Sequence, residues 1–270
     1  MITKDVLTGV YPSDTEQVAA AMAAIAEFEQ SPAPGAWAFL DKATIIAEMR
    51  VRVQNPFQVD QGGQPFCGPA AVLVALLQKQ PLRYVELCRS LFLLGGFQGF
   101  SRFIVSSDRL RQNSRDNLRM GQVDWMVLAT LRDVESLLFP VEPNAPDIIR
   151  NLAGMTKSWE MTGWIKEILG YSQTDYNHVY LMNDVNAMQE AATVLQSGGV
   201  AFALITAEGM LGKQPPRVAL PTHWISLLGN ISVKGDPVTF DLYTWSQPLR
   251  LTMAARSFKK YLWATVTGMP

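Results

Sequence analysis

Gln61, Cys67, His223 and Asp241 have the side-chain types that amide hydrolysis by a thiol requires, and they occur in that order. Cys67 opens an apolar run, Cys67-Gly-Pro-Ala-Ala-Val-Leu-Val-Ala-Leu-Leu, straight after a stretch rich in Gln, Gly and Pro. The run predicts a helix with the cysteine in its first turn. Pro69 fits there because the N–H it lacks would have no intrahelical partner. A thiol at a helix start meets unpaired backbone N–H groups and the positive end of the helix dipole, and both favour the nucleophilic thiolate. The competing role is that of a small buried hydrophobe, as most free cysteines are.

His223 begins a second apolar run, His223-Trp-Ile-Ser-Leu-Leu, after a polar loop. An imidazole at the end of a strand, facing a cleft, suits a thiol as base and a leaving amine as acid. Asp241 stands among Phe240, Leu242 and Tyr243, where an unpaired carboxylate is costly. A hydrogen bond to the histidine ring would satisfy it and set the tautomer. Gln61 can donate to an oxyanion together with the Cys67 N–H, and Gln64 is its rival. Each residue also has an ordinary alternative: a structural histidine, a solvated aspartate on a wet strand edge, a loop glutamine.

The elements that must position these groups follow from periodicity. Asp14 or Thr15 can cap a helix from Glu16 to Gln30 with Val18, Met22, Ile25 and Phe28 at helical spacing. Further helices are expected over 42–52, 82–94, 123–138 and 159–169. Trp125, Leu128, Leu131, Val134 and Leu138 line one side of the fourth of these five. The last third changes character. Strands are expected at 179–182, 199–206, 223–229, 238–245 and 249–253, with helices at 185–196 and 254–262. Residues 207–222 read as a loop bordering the substrate groove. Helices first and an antiparallel sheet later is an α+β signature. Residues 1–54 are expected to be an N-terminal helical elaboration, with the catalytic domain over 55–270.

Composition narrows the function classes. The 270 residues carry a net charge of -1, so no basic excess draws in nucleic acid or an anionic membrane. No apolar run approaches the ~18 to 20 residues of a membrane span. The first residues lack a basic-then-apolar layout, so no Sec export is expected. With two cysteines and two histidines, neither a disulfide framework nor a structural metal is expected. Cys88 sits mid-helix among Leu87, Leu91 and Phe92 and is expected to be packed; His178 is expected at the surface or at a strand start. Gly62-Gly63 and Gly95-Gly96 lack the Gly-Lys-Ser/Thr of a phosphate loop.

Gln61-Gly-Gly-Gln-Pro-Phe-Cys67 resembles the motif of papain-like cysteine peptidases: glutamine, glycine, four residues, cysteine, then a helix. The Cys-Gly-Pro-Ala-Ala continuation is closer to the bacterial branch that cuts double-glycine leader peptides. His223-Trp-Ile-Ser-Leu-Leu, Phe240-Asp241 and the late Phe258-Lys-Lys-Tyr-Leu-Trp263 are similar to that branch in order. The leader-peptidase Asp-Pro dipeptide is absent, since Leu242 follows Asp241, and no transporter domain follows. Asp124-Trp-Met-Val-Leu-Ala-Thr-Leu-Arg-Asp133, with the loop before His223, also resembles stand-alone papain-like effectors that bacteria inject into competitors.

The resemblance implies a helical part carrying Cys67 packed on an antiparallel sheet carrying His223 and Asp241. It implies peptide-bond hydrolysis of a protein or peptide substrate through a Cys-His-Asp triad, without cofactor. It leaves room for delivery by a specialised secretion system and for an inhibitory or immunity protein as partner. The same groups would serve a glutamine deamidase, a transglutaminase, or a peptidoglycan amidase or endopeptidase. A non-catalytic binding module of the same fold is the rival from another class.

Overall fold

The computed structural model describes all residues except 1, 10, 12, 113–119, 139–155, 180–183 and 213–215, with the side chains of 136–138 and 184 also set aside. In chain order the strands are β1 (Ile2–Val6), β2 (Gly96–Gln98), β3 (Phe103–Val105), β4 (Gln173–His178), β5 (Val200–Ile205), β6 (His223–Ser232), β7 (Val238–Thr244), β8 (Gln247–Met253) and β9 (Leu262–Met269). Seven of them form an antiparallel sheet in the order β1-β8-β7-β6-β5-β9-β4, and β2 and β3 form a separate hairpin.

Helices cover both faces of this sheet. On one side lie α1 (Thr15–Gln30), α2 (Lys42–Gln54), α3 (Cys67–Lys79), α4 (Pro81–Leu94), α6 (Gln122–Leu138) and α7 (Ser158–Trp164), with the short α5 (Asp108–Gln112) between α4 and α6. On the other lie α8 (Asp184–Gln196), α9 (Ala207–Leu211) and α10 (Ala255–Tyr261). Successive strand residues point to opposite faces, so two cores result. Val200, Phe202, Leu204, Trp224, Tyr243, Ala264 and Val266 face the first helical layer. Ala201, Ala203, Ile205, Ile225, Leu227, Phe240 and Leu242 face the second. Burial on both sides is why β5 reads as an unbroken apolar run, Val-Ala-Phe-Ala-Leu-Ile.

Local chemistry sets the helix ends. Asp14 caps α1 by accepting the Glu16 and Gln17 N–H groups, and Asp41 caps α2 by accepting that of Thr44 at 2.7 Å. Gly95 closes α4 at φ 69°, a left-handed conformation that costs a glycine nothing. No helix among the described residues is long and apolar enough to cross a membrane.

Several expectations change. β1 is a strand, not the approach to a helix, and it pairs with β8 at one edge of the main sheet. Buried Arg52 on α2 holds Asp124 on α6 through an Nη2–Oδ2 contact of 2.6 Å. The N-terminal elaboration thus packs on the core of the rest. β9 was not expected; it lies between β5 and β4. β4, at 173–178, was not expected, and the strand expected at 179–182 falls mostly on residues 180–182, which lie outside the described residues. His178 ends that strand and is buried, not on the surface. The loop expected from Ala207 to Thr222 opens with α9.

Candidate functional site

Cys67 is the first residue of α3, as its sequence context predicts. Every N–H at this helix start can be accounted for. Phe66, the capping residue, donates to the Gln64 carbonyl at 2.8 Å, Pro69 has no N–H, and Ala70 makes the first intrahelical bond, to Phe66. The two that remain, those of Cys67 and Gly68, favour the charged form of the Cys67 sulfur. A third amide, that of Trp224 on β6, also favours the charged form of this sulfur.

These donors do not make an acidic thiol. Burial pushes the Cys67 thiol up; the Trp224, Gly68 and Cys67 amides oppose the rise, and the carboxylate of Glu135 adds to it. The ready thiolate expected from the helix start is overturned, because only 6% of the residue is exposed and lost hydration outweighs three dipoles.

His223 precedes Trp224 on β6, so its imidazole points to the opposite face of the sheet from the Trp224 side chain. Its Nε2 and the Thr244 Oγ1 lie 2.7 Å apart, and the Trp245 ring stacks on it at 4.8 Å between centroids. Burial lowers its pKa to about 4, so the ring is neutral at neutral pH. Trp245 and Ser246 form the two-residue turn between β7 and β8, and both have positive φ, at 44° and 61°. This left-handed geometry matches the twist of a hairpin but is unusual without glycine, and such strain gathers at functional sites.

Asp241 does not join this histidine. The Cα partner of Asp241 on β6 is Gly229. Gly229 is six residues from His223, roughly 20 Å at the rise of a strand. Cross-strand partners share a face, so Asp241 lies with Tyr243 on the first-layer face, whereas His223 alternates with Ile225 and Leu227 on the other. Its carboxylate accepts from Arg250 Nε at 2.7 Å and Nη2 at 2.9 Å, Asn230 Nδ2 at 2.6 Å and Tyr11 Oη at 2.7 Å. Burial disfavours its charge, but these donors outweigh it and hold the carboxyl below its ordinary range. The need for a partner was read correctly; the partner was not.

The loop before Cys67 is pinned through its backbone. Asp60 N–H donates to Asp124, Gly62 N–H to Asp60, and the Val59 carbonyl accepts from Tyr243 Oη and Ser246 Oγ. Gln61 is half-buried and accepts the Gln64 N–H through its carbonyl, while Gln64 is exposed. Cys88 is fully buried, as expected, and both cysteines are free thiols.

Two groups at the site were not anticipated. Glu135 on α6 accepts from Thr156 Oγ1 at 2.8 Å and Trp164 Nε1 at 3.2 Å and pairs with Arg132. Thr156 accepts the Trp224 indole N–H at its carbonyl, at 2.6 Å, and sits so tightly on Gly68 that a Cβ there would lie 2.5 Å from its side chain. A signal for Glu135 exists: it follows Leu128 by seven residues and Leu131 by four, a carboxylate on an apolar helical stripe. No protein-family model matches the chain, and no curated protein sequence matches it.

Proposed function

We propose that the chain is a thiol hydrolase of the papain-like kind that cleaves amide bonds of a protein or peptide substrate. One observation supports this above the others: α3, which starts at Cys67, packs against β6, which starts at His223. The helix-start cysteine and the strand-start histidine thus sit on packed elements, with the His223 side chain on the sheet face opposite α3. Thr244 takes the place given above to Asp241, leaving Nδ1 as the ring nitrogen for chemistry. His223 is the first residue of β6, and the chemistry requires its Nδ1 edge to reach the sulfur round the end of the strand.

In this reading Nδ1 removes the thiol proton as sulfur attacks the substrate carbonyl carbon. The tetrahedral adduct collapses, the C–N bond breaks, and His223 returns the proton to the departing amine. Water then attacks the thioester, gives a proton to His223, and the C–S bond breaks as that proton returns to sulfur. Both side chains are neutral at rest, so the proton moves with attack rather than before it. A groove of about 590 Å³ lies beside the Trp245–Ser246 turn, walled by Phe57, Gln58 and Ser246. Its lining carries no charged side chain and suits an extended segment of neutral residues.

The test compares protein termini after exposure of candidate substrate proteins to wild type and to Cys67→Ala. New termini from the wild type alone are expected. Turnover retained in Cys67→Ala overturns the nucleophile assignment, and altered glutamines without new termini turn the reading to deamidation. The burial of Cys67 and His223 favours a second reading, a binding module that keeps the fold with its site shut; for that module neither Cys67→Ala nor His223→Ala changes any substrate.

A further inference from the structure

We propose that Glu135 is a positioning residue that keeps Cys67 in its thiol form, by setting a carboxylate beside the sulfur and by holding Thr156 against the start of α3. The inference rests on Cys67 being the reactive thiol of the proposed hydrolase. Its geometry is a chain of contacts. Glu135 Oε1 holds the Thr156 hydroxyl at 2.8 Å; Thr156 abuts Gly68, the neighbour of Cys67; and the Trp224 indole clasps the Thr156 carbonyl at 2.6 Å from β6. Glu135, Thr156 and Trp164 are all buried, so water screens little of the charge.

Among the described residues, the groups facing the carboxylate are few. Arg132 pairs with it from its own helix, Glu160 repels it from α7, and Cys67 faces it from α3. Lys157 is bound to Glu160 at 3.2 Å. Burial, then Glu160, raise the Glu135 pKa to about 7; Arg132, Thr156 and Trp164 oppose the rise without cancelling it. Cys67 and Glu135 therefore compete for one negative charge. Once Glu135 ionises, forming the thiolate beside it becomes harder.

The experiment follows iodoacetamide labelling of the folded full chain across pH, read at the Cys67 peptide so that Cys88 is not counted. In wild type the logarithm of the rate climbs with pH, flattens for about one pH unit above the ionisation of Glu135, and climbs again. In Glu135→Gln the flat step is absent, labelling above it is about tenfold faster, and the two profiles converge below it. Thr156→Val keeps the charge and removes the clasp, so it keeps the step while labelling faster at every pH. Superimposable wild-type and Glu135→Gln profiles, or a constant ratio between them at all pH, overturn the charge assignment. A wild-type profile without a step does so even if Glu135→Gln fails to fold. Thr156→Val labelling at the wild-type rate overturns the clasp. Alkylation needs no substrate, so this result and the hydrolysis test with Cys67→Ala can fail independently.

Discussion

Cys67 sits where two physical tendencies collide. Its place at a helix start supplies two amides and its contact with β6 a third, yet lost hydration dominates and the thiol stays protonated. His223 shows the same balance from the other side: burial keeps it neutral, and a hydroxyl rather than a carboxylate holds its Nε2. A threonine orients an imidazole without stabilising an imidazolium by charge. Thr244→Val should therefore cost one hydrogen bond of about 1 kcal/mol, a fall in turnover of roughly five- to tenfold. Steady-state rates on whichever substrate the terminal analysis yields check this. A loss on the scale of His223→Ala would mean that Thr244 does more than orient the ring.

At the scale of elements, α3 packs against β6 and the β7–β8 hairpin covers the start of that strand. The hairpin turn carries Trp245 over the His223 ring, while β7 presents Asp241 to the opposite face and far along β6. There Asp241 ties together the segment after β1, β6 and β8 through Tyr11, Asn230 and Arg250. Asp241→Asn should therefore lower stability by about 2 kcal/mol, a few degrees in Tm, because an amide cannot accept from all these donors. Turnover per folded molecule should stay within about twofold of wild type. Thermal unfolding alongside rate measurements checks both halves, and a large rate loss with unchanged Tm would return Asp241 to the site.

For the whole molecule, buried ionisable groups give opposed pH dependences. His223 has a folded pKa of about 4 against an ordinary value of 6.5, so the unfolded chain binds more protons and stability is lost as pH falls through that window. Glu135, at about 7 against 4.5, has the reverse sign: the native state binds more protons, and stability is lost as pH rises from 4.5 to 7. Asp124, raised to about 6 by burial despite Arg52, acts in the Glu135 direction. Two groups oppose one where these windows overlap, so wild-type stability should fall there as pH rises. Glu135→Gln should gain stability relative to wild type as pH rises through its window, on the order of 3 kcal/mol by its end. His223→Gln should gain relative to wild type as pH falls. Urea unfolding across pH checks both slopes, and a constant difference from wild type would sink the assignment of these groups.

What the sequence by itself determined is local: the capped helices, Cys67 as the first residue of its helix, His223 as the first of its strand, and the need of Asp241 for a partner. Such features depend on neighbours within a few residues, on period, caps and breakers, and those are written in order along the chain. Only the tertiary structure decided which groups meet. The register of β6 on β7, with irregularities on either side of Gly229, sends Asp241 to Arg250 and brings Thr244 to His223. Moving one strand by a residue reverses the face of every side chain it carries, and nothing in either strand alone specifies that offset. The acidity of the thiol was decided the same way, because it follows from how much water the folded layers remove around Cys67, and no single segment contains that quantity.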